Sequence, residues 1–184
     1  VVIGDGFANM TSLLLACLPQ SRVIMVNLTK TLLVDMAFVY QAFPETGMAL
    51  VCDSDEMEEA MSRSDIRVIA LGADFSNLLS DVPVALAINI LSMMEMDPPV
   101  TKMYFDVLRK CPRSQTAFYC CNRVEKKLPD GTITRFFDYP WDPVDEILVD
   151  EFSPWNKYEY RGKPPFYYQS SPVHHRLVRL KKVR

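Results

Sequence analysis

The first half of the chain alternates short apolar runs with longer amphipathic segments. Such alternation is typical of β-α-β units arranged around a largely parallel sheet. The predicted strands are Val1–Gly4, Arg22–Leu28, Met48–Cys52, Arg67–Leu71 and Val84–Leu91. The predicted helices are Asn9–Leu18, Lys30–Phe43, the acidic and solvent-exposed Asp53–Asp65, and Pro99–Lys110. We therefore expect an α/β fold.

The second half differs, because helical periodicity fades after Pro112 while aromatic and proline residues become frequent. A hairpin is expected around the turn Asp130-Gly131, followed by a folded loop that lines a pocket or an interface. A basic strand then closes the chain, and its charges suggest a solvated sheet edge. The predicted elements are a strand Gln115–Val124, a second hairpin arm Thr132–Phe137, the loop Tyr139–Gln169 and the closing strand Val173–Val183.

Length and charge narrow the class of protein. The 184 residues, 49% hydrophobic and 23% charged, suit one domain with a substantial core. The chain begins at Val1 directly in a predicted strand, so we expect that an N-terminal portion is missing. The 20 basic and 23 acidic residues give a net charge of -3, which argues against a nucleic-acid binder.

Cysteine and histidine usage argues against disulfides and metals. The five cysteines show no C-x-x-C spacing, so they are interpreted as reduced thiols. His174 and His175 are the only histidines, and neighbours in a strand point to opposite faces, so they cannot share one metal ion. Cys120 and Cys121 are interpreted as small core residues. No apolar run is long enough to span a membrane, and a cytoplasmic protein is expected.

A glycine-containing turn follows the first predicted strand, at Gly4, Gly6 and Ala8. Open α/β sheets bind ligands at this position, because glycine permits a tight turn and the next helix presents free N–H groups. A dinucleotide site needs a third glycine, where this chain has Asn9. A shorter G-x-G-x-[GA] loop suits S-adenosylmethionine, which has no phosphate. A simple tight turn is the structural alternative.

The second strand adds a related signal at Asn27. Nucleotide-binding α/β proteins often place an acidic residue at the end of this strand to accept the ribose hydroxyl groups. Asparagine can accept one hydroxyl through its carbonyl oxygen but lacks the charge that strengthens such bonds. Reduced cofactor affinity or a degenerate site are both compatible with Asn27.

The order of motifs resembles the sugar O-methyltransferase family, whose members are S-adenosylmethionine-dependent and have the Rossmann-like class I methyltransferase fold. The resemblance covers most of the chain, and the later motifs are more specific than the glycine loop. The matching pieces are Val2–Asn9, Val26–Leu28 with Thr31–Leu33, Ala87–Met96, Tyr104-Phe105, Tyr119–Arg123 and Tyr139–Trp141. It implies one domain over residues 1–184, with a mostly parallel sheet, helices on both faces and an antiparallel C-terminal hairpin.

The resemblance also implies site residues. Glu95 lies just beyond the fifth strand and is the candidate base that removes the acceptor proton. The expected cofactor-binding residues are Gly4, Asp5, Gly6, Ala8, Asn27, Leu28, Asp74, Phe75 and Asn89. The expected substrate-binding residues are Ser92, Asn122, Arg123, Tyr139 and Trp141, the last two together with Trp155 as stacking surfaces for a sugar, and no metal is expected.

Structural roles compete with these assignments. Glu95 could complement a helix dipole, and Ser92 and Asp74 could be helix caps. Asn89 needs a partner if it is buried, and it could face a neighbouring loop instead of the cofactor. Arg123 could form a structural ion pair instead of holding a sugar hydroxyl or phosphate. The aromatic residues Tyr139 and Trp141 could pack in a core or against a second copy in a homo-oligomer.

The predicted function is methyl transfer from S-adenosylmethionine to a hydroxyl group of a sugar or glycan precursor. Two departures from the family pattern, Val2 and Asn27 in place of acidic residues, motivate a catalytically degenerate sugar-binding or scaffold domain as the alternative. A dinucleotide-dependent oxidoreductase is disfavoured by Asn9. Restoring the acid with Asn27→Asp is expected to raise cofactor affinity if the site is merely weakened.

Overall fold

In the computed structural model, one eight-stranded sheet organises the chain. Described are residues 1–156, the backbone of 158–159 and 167–168, and residues 171–182. The sheet strands are β1 (Val2–Ile3), β2 (Val23–Asn27), β3 (Gly47–Val51), β4 (Ile66–Gly72), β5 (Leu86–Ile90), β6 (Thr116–Arg123), β9 (Glu146–Phe152) and β12 (Val173–Leu180). The short strands β7 (Glu125–Lys127) and β8 (Ile133–Arg135) form a hairpin, and β10 (Tyr158–Glu159) pairs with β11 (Tyr167–Tyr168).

Within the described residues, four α-helices and three 3-10 segments connect the strands. The α-helices are α1 (Asn9–Cys17), α2 (Thr29–Ala42), α3 (Ser54–Ser62) and α4 (Pro98–Lys110). The 3-10 segments are Ala73–Asp81, Met93–Glu95 and Phe136–Asp138. None of the helices in the described ranges is long and apolar enough to cross a membrane.

The strand order is β3-β4-β2-β1-β5-β6-β12-β9. Strands β1 to β6 run parallel, whereas β12 pairs antiparallel with both β6 and β9. From β1 the chain proceeds outward through β2 on one side, and after β4 it returns to the other side at β5. Such a reversal opens a crevice at the carboxyl ends of the strands, which is where doubly wound sheets bind ligands.

Alternating side chains of the strands build an apolar layer on each face of the sheet. One layer includes Ile3, Val26 and Leu71 and packs against residues of α3 and α4 such as Met57 and Phe105. The opposite layer contains core residues of the central strands and of α1 and α2; its members are Val2, Ala8, Leu15, Val23, Met25, Leu32, Val39, Val68 and Ala70. The predicted α/β architecture, with helices on both faces and an antiparallel C-terminal hairpin, is confirmed.

The C-terminal part shows three differences from the sequence prediction. The predicted arm Thr132–Phe137 shortens to β8 and pairs with β7, beyond the predicted strand. Strand β9 lies inside the segment predicted as a loop; its side chains are exposed or half-buried on both faces, so it has no alternating pattern. Residues 157, 160–166, 169 and 170 of that predicted loop lie outside the described residues, as does Val183.

The closing strand also differs from its predicted place at a sheet edge. Strand β12 lies between β6 and β9, so it is not an edge strand. Its Arg176 is buried, donates two hydrogen bonds to Asp150 at 2.9 and 2.8 Å, and stacks over the Trp141 ring at 4.7 Å. The basic side chain is therefore held by an internal partner, which sequence charge alone did not reveal.

Candidate functional site

Most of the predicted site residues lie at the carboxyl edge of the parallel strands. Strand β1 leads into the glycine loop, and β2 ends at Asn27 beside Gly72 of β4. Strand β5 leads into Ser92 and Glu95, and β6 ends with Asn122 and Arg123. Because the strands are parallel, these ends share one edge of the sheet.

The glycine loop has unusual backbone geometry. Gly4 and Gly6 have φ values of 69° and 57°, and the non-glycine residues Phe7 and Ala8 also have positive φ, at 64° and 52°. A left-handed conformation is unfavourable for residues that carry a Cβ. Such strain is found mainly where surrounding structure enforces it, frequently at ligand sites.

Gly4 is required by its neighbour across the crevice. A Cβ on Gly4 would lie 2.2 Å from Ser92 Oγ. The Ser92 hydroxyl is 3.1 Å from the carbonyl oxygen of Ile3 and accepts a bond from Asn89 Nδ2 at 2.5 Å. The glycine loop and the Asn-x-x-Ser motif are therefore one packed unit, in which Ser92 fills the space of the missing side chain.

Asp5 occupies the amino end of α1. Its two carboxylate oxygens accept hydrogen bonds from the backbone N–H groups of Met10 at 2.8 Å and Thr11 at 2.7 Å. These are the free N–H groups that a helix would otherwise offer to a phosphate. The Asp5 carboxylate thus occupies the backbone N–H groups that a dinucleotide-binding loop would leave free for the pyrophosphate.

Asn27 is bound to a carboxylate that the sequence reasoning missed. Asp35 of α2 is fully buried. Its Oδ2 accepts from Asn27 Nδ2 at 2.9 Å, and its Oδ1 accepts from the Ala8 N–H at 3.1 Å. A lone Asp within an otherwise apolar helical stretch was the available signal, because a buried carboxylate needs partners.

Apolar side chains flank the crevice at the ends of β2 and β4, the side on which the sequence predicts cofactor binding. Leu28, directly after β2, is 68% exposed, and Phe75, three residues after the end of β4, is 38% exposed. Asp74, two residues after Gly72, is also exposed, so its carboxylate is accessible to solvent. Leu28, Asp74 and Phe75 thus lie just beyond the ends of the neighbouring strands β2 and β4, and their side chains are accessible to solvent.

Asn89 and Asn122 hold the loop after β5 from within. Asn89 Oδ1 accepts from the Met93 N–H at 3.1 Å and from Asn122 Nδ2 at 2.9 Å. Asn122 Oδ1 accepts from the Met94 N–H at 3.1 Å. Both asparagines are fully buried, so in this structure they position the loop that carries Ser92.

Glu95 stands at the end of that loop. Its side chain is 60% exposed, and Oε1 lies 3.4 Å from Lys126 Nζ in the β7–β8 hairpin. The hairpin is fixed to the loop by Thr134, whose hydroxyl donates to the Met94 carbonyl at 2.8 Å. Arg123 is half-buried at the end of β6. A carboxylate and two cationic side chains therefore meet the solvent on the C-terminal side of the crevice.

Tyr139 and Trp141 lie in an aromatic core. Trp141 packs edge-on against Phe105 with ring centroids 4.9 Å apart and donates Nε1–H to the Phe136 carbonyl at 2.9 Å. Tyr139 is buried, and its ring lies 5.5 Å from that of Phe136. These placements match the core alternative for the two residues. Trp155, in contrast, is 81% exposed.

The other predicted features have clear positions. His174 and His175 point to opposite faces: His174 contacts Asp150 at 2.6 Å, whereas His175 contacts the Tyr119 hydroxyl at 3.1 Å. Cys120 and Cys121 are buried and unpaired by disulfides. Across the ranges that the structure describes, no three His, Cys, Asp or Glu side chains gather as a metal site.

Comparison with solved structures identifies the fold. A SAM-dependent methyltransferase from Anabaena variabilis has a TM-score of 0.62 and 13% identity, with 98% of this chain and 76% of that chain covered. A protein studied for conversion of a disulfide bond into a thioacetal group during echinomycin biosynthesis has 0.56 and 13%, covering 98% and 74%. The mitomycin 7-O-methyltransferase MmcR has 0.55 and 11%, covering 97% and 48%.

These similarities establish the Rossmann-like methyltransferase fold that the sequence predicted. The chain spans about three quarters of the first two structures and about half of the third. No family model and no curated protein sequence matches the chain. The sugar O-methyltransferase resemblance therefore remains a prediction.

Proposed function

We propose that the protein is an S-adenosylmethionine-dependent O-methyltransferase that acts on a hydroxyl group of a sugar or glycan precursor. The single observation that carries the choice of cofactor is the carboxylate of Asp5 on the Met10 and Thr11 N–H groups. A pyrophosphate would have to displace or approach this carboxylate, and two anions repel. S-adenosylmethionine carries a sulfonium, an ammonium and one carboxylate but no phosphate, so its net positive charge suits the site.

The rest of the cofactor side fits the same molecule. The positive φ of Gly6 leaves open space where a Cβ would be, since no heavy atom lies within 4 Å. Asn27 Oδ1 accepts one bond from the Leu28 N–H at 2.9 Å, and an amide oxygen has a second acceptor position for a ribose hydroxyl. Leu28 and Phe75 offer apolar surface to the adenine. Gly6 thus provides the open turn, Asn27 provides a hydrogen-bond acceptor, and Leu28 with Phe75 provides an apolar surface.

The bound cofactor would supply a methyl group on a sulfonium, and the protein must then align the acceptor oxygen and remove its proton. Glu95 is the exposed carboxylate nearest the end of β5 and is assigned to proton removal. Lys126, beside Glu95, and Arg123, at the end of β6, are cationic donors suited to the acceptor's other hydroxyl groups. A polyhydroxylated acceptor matches such a donor-rich rim, which supports the sugar assignment suggested by the motifs.

The catalytically degenerate alternative rests on Val2 and Asn27. Val2 is buried beside Met25 and Ile88 in neighbouring strands, so a carboxylate there would need a buried partner. Asn27, by contrast, keeps an acceptor and has Asp35 behind it. The contacts of Asn27 thus weaken the case for a degenerate domain, whereas the contacts of Val2 do not bear on it. A direct assay of methyl transfer distinguishes the two functions.

The test is formation of S-adenosylhomocysteine from S-adenosylmethionine with panels of free sugars and nucleotide sugars. Glu95→Gln is expected to lower kcat by about 10²- to 10⁴-fold, because the amide cannot accept the proton. Its stability should change by no more than about 0.5 kcal/mol, since the side chain is exposed. Equal kcat for Glu95→Gln and wild type would remove Glu95 from the mechanism, and no turnover with any hydroxyl acceptor would favour the degenerate domain.

A matched pair of glycine variants tests the loop. Gly6 and Gly131 both have positive φ, and a Cβ on either meets no heavy atom within 4 Å. Gly6→Val places a side chain in the proposed cofactor space and should abolish S-adenosylhomocysteine binding. Gly131→Val, in the turn between β7 and β8, also forces a β-branched residue into positive φ and should bind normally. Normal binding by Gly6→Val would place the cofactor elsewhere.

A further inference from the structure

Asp35 is a buried carboxylate whose contacts all lead to the cofactor side of the crevice. It lies in α2 between the fully buried residues Leu32 and Val39, and its own exposure is 0%. Burying a carboxylate is costly unless polar partners compensate. Its two oxygens accept from Ala8 N–H and from Asn27 Nδ2, and neither partner belongs to α2.

The contact with Asn27 determines which way the amide faces. Because an ionised carboxylate only accepts hydrogen bonds, it must face the Nδ2 end of Asn27. The Oδ1 end then accepts from the Leu28 N–H at 2.9 Å and keeps one acceptor position. Rotating the amide by 180° would bring Oδ1 against Asp35 Oδ2 and would set the Nδ2 donors against the Leu28 N–H.

The contact with Ala8 fixes the other side of the site. Ala8 is fully buried, has a φ of 52° and ends the strained loop immediately before α1. The Asp35 contact with its N–H offsets part of the cost of this backbone conformation. One carboxylate therefore joins the end of β2 to the glycine loop that follows β1.

We propose that Asp35 is a positioning residue for S-adenosylmethionine, which holds Asn27 with Oδ1 toward the ribose and holds Ala8 in the left-handed conformation. The pair Asn27–Asp35 thereby takes the place of a single acidic residue at the end of the second strand. This inference rests on the proposed function, since it assigns a role toward the same cofactor.

The geometry reverses the expectation for Asn27→Asp. An aspartate at position 27 would put a second carboxylate about 3 Å from Asp35 Oδ2, where two charges cannot both persist. Burial already raises the pKa of Asp35, the bonds from Asn27 and Ala8 oppose that rise, and the nearby Asp5 carboxylate adds to it. Repulsion between the two carboxylates, or the uptake of a proton by one of them at neutral pH, costs free energy, so Asn27→Asp should weaken the site instead of restoring it.

The double variant Asn27→Asp, Asp35→Asn reverses the direction of the hydrogen bond between residues 27 and 35 and still gives every donor an acceptor. The amide introduced at position 35 could accept from the Ala8 N–H through its oxygen and donate through its nitrogen to the carboxylate introduced at position 27. The second oxygen of that carboxylate could then accept from the Leu28 N–H. Each single variant leaves one buried contact mismatched, whereas the exchange repairs both. Such reciprocity is the signature of a direct, oriented pair.

The experiment is calorimetric titration of S-adenosylhomocysteine into the wild type, both single variants and the double variant. We expect each single variant to bind about tenfold or more weakly, from the loss of one buried hydrogen bond. The double variant should bind within about threefold of the wild type, or more tightly, as the coupling of contacting residues predicts. Asn77→Asp adds the same charge at an exposed position of the 3-10 segment Ala73–Asp81, and its affinity should stay within about twofold of the wild type.

Urea unfolding of the same proteins separates positioning from folding. If Asp35→Asn does not fold, the comparison of Asn27→Asp with the double variant still decides the question. The double variant can regain the affinity that Asn27→Asp loses only if residues 27 and 35 interact directly. Tighter binding by Asn27→Asp alone, or a double variant no better than the weaker single variant, would overturn the positioning role. Absence of binding by the wild type would instead refute the proposed function itself.

Discussion

The two halves of the sheet are stabilised in different ways. On the side of β1, β2 and β4, neutral amides, backbone groups and two carboxylates hold a strained loop, and the exposed surface is apolar. On the side of β6, β9 and β12, buried ion pairs and stacked aromatic rings hold elements that are far apart in sequence. Arg109 of α4 donates to both oxygens of Asp145 at 2.6 Å, and Arg176 is similarly bidentate to Asp150.

The difference shows what each side is built to do. A loop that approaches a ligand closely needs a fixed backbone and an accessible outer surface. The hydrogen bonds from Asp5 and Asp35 to backbone N–H groups fix the backbone without covering that surface. Long connections such as the segment from α4 to β9 need strong, specific contacts, which bidentate arginine pairs provide. The cofactor side should therefore be sensitive to added atoms, and the C-terminal side to removed charges.

The largest effect on stability is expected from Arg109→Ala. Arg109 and Asp145 side chains are 5% and 2% exposed, so removing the arginine leaves a buried carboxylate unpaired. The loss should be about 3–5 kcal/mol in urea unfolding at pH 7. The control is Lys102→Ala on the same helix, where the partner pair is exposed and the loss should stay within about 0.5 kcal/mol. Equal losses would contradict the contrast between the two sides.

The same pair predicts a dependence on pH. Burial would raise the pKa of Asp145, but the hydrogen bonds from Arg109 and from backbone N–H groups hold it below its usual range. A group with a lowered folded-state pKa stabilises above its unfolded pKa of about 3.9, and this stabilisation is lost as the pH falls through the folded-state pKa. The stability gap between wild type and Arg109→Ala should therefore shrink in unfolding curves recorded below about pH 4. A constant gap would show that Asp145 is not the partner.

On the cofactor side, Gly4→Ala should destabilise more than Gly6→Ala. Both positions have positive φ, but only the Cβ at position 4 collides with Ser92, at 2.2 Å from Oγ. We expect a loss of about 2–4 kcal/mol for Gly4→Ala and about 1 kcal/mol for Gly6→Ala. Denaturant midpoints of the two variants give the comparison. A smaller loss at position 4 would mean that the loop and Ser92 are not closely packed.

The smallest effect is expected from Tyr139→Phe. The hydroxyl oxygen of Tyr139 is buried and has no hydrogen-bond partner within the part of the chain that the structure describes. Removing it should leave stability unchanged or raise it by up to about 1 kcal/mol, because an unsatisfied polar group disappears. Sugar turnover should also be unchanged if the residue belongs to the core. A marked loss of turnover without a loss of stability would support the stacking role predicted from the sequence.

Periodicity and strand-end positions were enough to predict the parallel half of the fold. The buried parallel strand β4 is apolar except for Arg67, and the ends of such strands mark the ligand edge. Strand β9 could not be predicted, because exposure on both faces leaves no alternation. The glycine loop was visible as a motif, but the Asp5 cap depends on the path of the loop in three dimensions.

The contacts that organise the site were the least predictable. Asp35 is eight residues beyond Asn27, and its role depends on how α2 packs against the loop. The same limit applies to Asn89 and Asn122. Their ligand-binding roles stay predictions, and in this structure they bind backbone groups and each other. An asparagine can bind a ligand or form internal hydrogen bonds, and only its distances to neighbouring atoms distinguish these two roles.

The most direct test of the central claim is calorimetric titration of the wild-type protein with S-adenosylhomocysteine, with reduced nicotinamide dinucleotide as the comparison ligand. If the Asp5 carboxylate excludes a pyrophosphate and leaves the crevice to a phosphate-free cofactor, S-adenosylhomocysteine binds and the dinucleotide does not. Binding of the dinucleotide, or of neither ligand, would contradict the assignment of this crevice to S-adenosylmethionine.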